Sequence, residues 1–285
     1  MMGGRDVWAM KLRIVCAVIL LVGVLGRSSA VRAQGTEAPA LDEILERLEA
    51  NLNHYDKSVP SFFCDEHVVS SMKPGVGERA TVTDSIFRLK RVENPDHTSS
   101  FAESREIQKV NGEPSSAQPL RGFPSMVVGL FEGGLAVVSL SQKVCMSYKL
   151  ERRDRPNAPY IVDFSTALKR GNTEKCLLQE KTKGRVFIDP ASMEIKHLEM
   201  TAPHHVILPG NAYGWAVVGK WVVTIDYAPV VLDGDTFWLP SAIMSRDTSI
   251  EGGPHGSTWT FQGNYANYHR LEVKSRILPG AAVAQ

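Results

Sequence analysis

The sequence predicts a mainly β, α+β fold: one antiparallel sheet preceded by an amphipathic helix. Three observations predict it. Apolar residues recur at spacings of three and four between Leu41 and Tyr55. After Pro60 the pattern changes to runs of β-branched and aromatic residues separated by turn residues. No crossover helix separates successive runs, which is the pattern of antiparallel rather than parallel strands.

The helix carries Leu41, Ile44, Leu45, Leu48, Leu52 and Tyr55 on one face. Asp42 and Glu43 lie in its first turn, where carboxylates favour the helix dipole, and Pro60 with the preceding residues ends it. Strands are predicted over Phe62–Ser70, Thr81–Val92 and Phe101–Val110, the last leading into the hairpin signal Asn111-Gly112. A loop over Ser115–Pro119, a short helix over Pro124–Phe131 and a Gly133-Gly134 stop follow. Val144–Leu150 and Tyr160–Phe164 read as strands joined by an Arg152–Pro159 loop. Gly184–Asp189, a Pro190–Met193 turn and Glu194–Thr201 read as strand, turn and strand. Trp221, Val223, Ile225 and Tyr227 alternate with polar or smaller neighbours, and Asp233-Gly234 marks a turn before Thr236–Ser245. Trp259 and Phe261 share a face, and Leu271, Val273 and Ile277 share the face of a final strand.

The N-terminus reads as an export signal. Lys11 and Arg13 precede an apolar run from Ile14 to Gly26, and Val31-Arg32-Ala33 offers a cleavage site. The expected layout is a signal peptide over 1–33, a flexible leader over 34–40, a single β-rich domain over 41–278 and a flexible tail over 279–285. No run beyond the signal reaches the roughly 18 apolar residues needed to span a bilayer. The 285-residue chain has a formal charge of +1, and cleavage removes five basic residues and one acidic one, leaving a mildly acidic protein. That balance argues against a dedicated nucleic-acid binder. A hydrophobic content of 43% with 22% charged residues excludes a disordered chain. Three cysteines remain after cleavage, and in an oxidising compartment Cys145 and Cys176, which enclose the shorter loop, are the favoured pair. The alternative is three buried thiols.

The order of these pieces carries a resemblance. A leading amphipathic helix runs into Val59-Pro60-Ser61-Phe62-Phe63-Cys64. Then come Gly184-Arg-Val-Phe-Ile-Asp189-Pro190, Val223-Thr-Ile-Asp-Tyr227 and Asn264-Tyr265-Ala-Asn267-Tyr268. The pattern resembles a group of secreted proteins common in Acidobacteria and, more distantly, the LolA/LolB-like periplasmic lipoprotein carriers. The resemblance implies a strongly curved antiparallel sheet, an unclosed barrel, with the N-terminal helix and one or two short helices on its concave face. It also implies a half-barrel cavity for acyl chains. On that implication Leu45, Leu48, Leu52, Trp221, Tyr227, Trp238, Trp259 and Phe261 are the expected cavity residues.

Reactive side chains are few. Cys64-Asp65-Glu66-His67 gathers a thiol, two carboxylates and an imidazole, but strand alternation turns Cys64 and His67 to opposite faces. His204-His205 is expected in a polar loop, with no further zinc ligands at matching spacing. Asp233-Gly234 is explained as a turn rather than as part of a calcium site with Asp226 and Asp235. No Gly-x-Ser-x-Gly, Walker A or G-x-G-x-x-G element occurs. The leading expectation is an exported, non-enzymatic binding protein for a lipid or other apolar ligand, with no cofactor and no metal. The alternative is a cell-envelope structural or protein-interaction module with a filled core. A Cys- or His-dependent enzyme is the third reading.

Overall fold

The sheet is built from its middle outward by residues far apart in the chain. The computed structural model describes residues 39–74, 79–95, 99–115, 131, 137–153, 155, 157–167, 176, 178, 181–207, 215–249 and 257–272. Among the described residues, helix α1 (Leu41–Ser58) comes first. Eleven strands follow: β1 (Phe62–Pro74), β2 (Arg79–Glu93), β3 (Ser99–Val110), β4 (Glu113–Pro114), β5 (Met146–Leu150), β6 (Tyr160–Thr166), β7 (Lys183–Ile188), β8 (Ile195–Ile207), β9 (Trp215–Leu232), β10 (Asp235–Ser249) and β11 (Ser257–Arg270). They form one antiparallel sheet in the order β4-β3-β2-β1-β11-β10-β9-β8-β7-β6-β5, with β4 and β5 as unjoined edges. The pairing of β1 with β11 joins the two ends of the domain, from Phe62 opposite Arg270 to Pro74 opposite Ser257.

Alternation gives the sheet one apolar face. Val223, Ile225 and Tyr227 are buried while Lys220 and Asp226 are exposed, and β1 alternates likewise with Phe62, Cys64, Glu66 and Val68 inside. That face curls around α1. Tyr55 near the helix C-terminus meets Phe101 of β3, whereas Asp42 at the N-terminus meets Lys143, just before β5. A flat sheet would hold β3 and β5 about 43 Å apart, and the helix between Asp42 and Tyr55 is about 20 Å long. The sheet therefore wraps the helix without closing into a barrel. No helix among the described residues is long and apolar enough to cross a membrane.

Two tight turns follow the sequence chemistry. Asn111-Gly112 and Asp233-Gly234 both place two successive residues at positive φ, the requirement of a two-residue type I′ hairpin. The disulfide between Cys145 and Cys176 has a Cα–Cα distance of 5.6 Å and ties the approach to β5 to the segment before β7. Gly184 is needed for packing: a Cβ there would lie 2.0 Å from the Glu199 carbonyl oxygen and 2.5 Å from the Phe164 ring.

The structure corrects several sequence expectations. His204 and His205 belong to β8, opposite Gly219 and Val217 of β9, and not to a loop. Pro203 fits within β8 because the strand leaves its β7 partner at Thr201, so Pro203 is paired on one side only. Pro229 and Pro240 are accommodated in the same way, beyond the β8 and β11 ladders respectively. The last strand ends at Arg270 rather than continuing through Leu271, because β1 begins at Phe62 and leaves no partner; the Leu271 N–H donates to the Ser61 carbonyl instead. Val144 is an exposed turn residue, and β5 starts at Met146. A short 3-10 turn at Leu140–Gln142 is seen beside α1. The expected signal peptide, most of the leader, the 116–130 segment, Gly133-Gly134, Val273, Ile277 and the tail lie outside the described residues.

Candidate functional site

The seam between α1 and the sheet is the candidate site. Leu48, Asn51, Leu52 and Tyr55 stand on one face of α1 because they are three and four residues apart. They meet Val138, Glu194, Ile195, Thr236, Phe237 and Trp238, with His54 at the margin. The walls are apolar, and Asn51, His54, Glu194 and Thr236 supply polar groups. The His54 ring stacks on Phe237 with centroids 5.5 Å apart and planes 6° apart. The space left is about 20 Å³, room for a single water.

Directed bonds hold the helix over the sheet. Asn51 Nδ2 donates to the Met193 carbonyl at 2.9 Å, and the Leu140 N–H donates to Glu49 Oε2 at 2.8 Å. At the C-terminus, Arg91 of β2 donates from Nε and Nη2 to the Val59 carbonyl at 3.1 and 3.0 Å, and from Nη2 to the Tyr55 carbonyl at 3.4 Å. The bonds to Val59 answer a carbonyl just past the helix end, while the Tyr55 carbonyl already accepts from the Val59 N–H at 3.0 Å.

Glu194 stands out electrostatically. Burial raises its pKa from 4.5 to about 7, against the opposing effect of a hydrogen bond with Asn51. A carboxyl whose folded pKa is raised costs nothing below its unfolded pKa and destabilises progressively as pH rises through the folded value. Glu194→Gln is therefore expected to stabilise the protein by about 1–3 kcal/mol at pH 8 and to change little at pH 4. Thermal melts at the two pH values check this, with a rise of about 3–6 °C expected only at pH 8.

The expected cavity residues divide into two groups. Leu48, Leu52 and Trp238 line the hollow, while Leu45 and Tyr227 are buried in the same core. Trp221, Trp259 and Phe261 sit elsewhere on the sheet: Trp221 pairs through Asp247 with Trp259, whereas Trp238 pairs with Pro229. Trp221 and Pro229 are eight residues apart on β9, about 26 Å along the strand, so these aromatics do not share one small pocket. Val138, Asn51, His54, Glu194, Thr236 and Phe237 were not anticipated. His54 and Asn51 lie on the helix beside the apolar stripe, the only signal available for any of them; Glu194 and Thr236 flank turns and carry none.

The Cys64–His67 segment follows strand alternation. Cys64 is buried, and burial with the nearby Glu66 carboxylate pushes its thiol up to about 12, far from a reactive thiolate. His67 is on the opposite face, with Nδ1 2.7 Å from Asp84. Glu66 instead joins Arg105, whose Nε contacts both carboxylate oxygens at 2.8 and 3.0 Å while its guanidinium lies 4.9 Å from the Phe87 ring centre. Among the described residues no group of three His, Cys, Asp or Glu side chains is arranged to hold a metal ion.

No family model and no curated protein sequence matches the chain. Solved structures to which the chain is similar include a LolA-superfamily protein from Nitrosomonas europaea, at 12% identity, covering 83% of this chain and 96% of that one, with a TM-score of 0.33. A second is a putative outer membrane lipoprotein-sorting protein domain from Vibrio parahaemolyticus, at 11% identity, 79% and 90% coverage and a TM-score of 0.34. A third is a DUF1329 family protein from Desulfovibrio piger, at 10% identity, 82% and 94% coverage and a TM-score of 0.36.

Proposed function

We propose that the chain is an exported, non-enzymatic binding protein that takes a lipid or other apolar ligand between α1 and the inner face of the sheet. The observation that carries this reading is the seam itself, where apolar walls from Leu48, Leu52, Ile195, Phe237 and Trp238 end at the polar groups of Asn51, His54, Glu194 and Thr236. Such a lining suits an amphiphile, tail inward and head at the rim. The Cys145–Cys176 pair supports export, because disulfides persist in oxidising compartments.

A hollow of 20 Å³ holds no acyl chain, so binding requires α1 to move. Lifting it uncovers Ile44, Leu45, Leu48 and Tyr55, at about 1.5–3 kcal/mol for each side chain. A tail of about twelve methylenes regains about 0.8 kcal/mol each, or roughly 10 kcal/mol. The two terms are comparable, so an acyl chain of ordinary length offsets displacement of the helix.

The test is titration with a fluorescent long-chain fatty acid. Saturable binding is expected, weakened at least about tenfold by Leu52→Glu, which puts a charge on the half-buried wall. Absence of binding, or binding indifferent to Leu52→Glu, contradicts the proposal. The small hollow favours a second reading, a cell-envelope interaction module whose core is filled by its own side chains. Its mark would be a stable envelope-protein partner recovered by crosslinking, with no fatty-acid binding.

A further inference from the structure

We infer that the hollow beside Arg153, between β5 and β6, is a phosphate-binding subsite. Nε and Nη2 of Arg153 are both buried and neither has a hydrogen-bond partner. These two nitrogens share one edge of the guanidinium, the edge that forks two oxygens of a phosphate or carboxylate. The guanidinium carbon lies 4.1 Å from the centre of the Tyr160 ring, a cation–π contact.

The surroundings favour an anion. A hollow of about 300 Å³ beside Arg153 is lined also by Arg152 and Arg155. Glu151, the acidic residue among those described that line it, is already engaged, 3.2 Å from Arg185. Burying cationic N–H groups with no acceptor is costly, and an oxyanion that enters the hollow and reaches the fork removes that cost. Two tetrahedral oxygens match the fork, and Arg152 and Arg155 add charge for the rest of the group. The fork is closed to solvent in this conformation, so occupation involves a rotation of Arg153 toward the hollow. The chemistry is that of a phosphate group, whether free or on a lipid head.

Isothermal titration of the full mature chain with inorganic phosphate, and separately with monomeric dihexanoyl phosphatidic acid, tests this. Binding of at least one is expected, falling as salt rises. Arg153→Lys keeps the charge but loses the fork and is expected to weaken binding about tenfold or more. Arg155→Gln, at an exposed position that leaves the fold intact, is expected to weaken it about threefold. Equal affinity for the two probes assigns a free-phosphate site, and a clear preference for the second assigns a headgroup site. Failure of both probes to bind, or binding unchanged in Arg153→Lys with its circular dichroism intact, overturns the inference. Leu52→Glu leaves phosphate binding unchanged, so this subsite and the seam under α1 succeed or fail separately.

Discussion

Replacing Arg105 with leucine is expected to destabilise the fold by about 3–5 kcal/mol. The substitution leaves Glu66 buried without the Arg105 cation, and removes the same guanidinium from its place 3.7 Å from Glu103. The loss comes from the stranded charge more than from the pair's own strength, since a buried pair has already lost its hydration. The double variant Arg105→Leu, Glu66→Gln is therefore expected to recover much of the loss. Urea unfolding of the three proteins at pH 7 measures each effect. An Arg105→Leu protein as stable as the parent at pH 7 would show that water reaches Glu66.

Loss of the disulfide is expected to cost about 3–4 kcal/mol by the loop-entropy model, for a cross-link spanning 31 residues. The bridge matters because, among the described residues, β5 is an edge strand paired only with β6, and it is five residues long. Reduction is expected to loosen β5 first, while β1, β11 and β10 in the middle of the sheet keep their protection. Hydrogen exchange with and without reductant, on a Cys64→Ala background, checks both the size and the place of the effect. Uniform loss of protection across all strands would contradict it.

The helix and the two tight hairpins were legible because each is written in local chemistry: a three-and-four apolar stripe, and Asn-Gly or Asp-Gly with both residues at positive φ. The mainly β character was legible for the same reason. Strand ends were not, because whether Pro203, Pro229 or Pro240 interrupts a strand depends on which neighbour is present beside it, and that is decided by pairing partners distant in sequence. The adjacency of β1 and β11 is likewise a long-range fact with no local signal. Within the site, the helix stripe disclosed Leu48 and Leu52. Alternation puts Trp221 on the face of Val223 and Trp259 on the face of Phe261 but says nothing of their position along the strand, and that position separates them from Trp238. Glu194 carried no signal, since its burial comes from α1 lying across the turn before β8.

The most direct measurement on the seam under α1 is native mass spectrometry of mature protein exported to a periplasm and purified without detergent. The account predicts a bound species, released on denaturation as a lipid or other apolar molecule and lost in Leu52→Glu. A bare protein mass in the parent chain, unchanged after incubation with long-chain fatty acid, would contradict it.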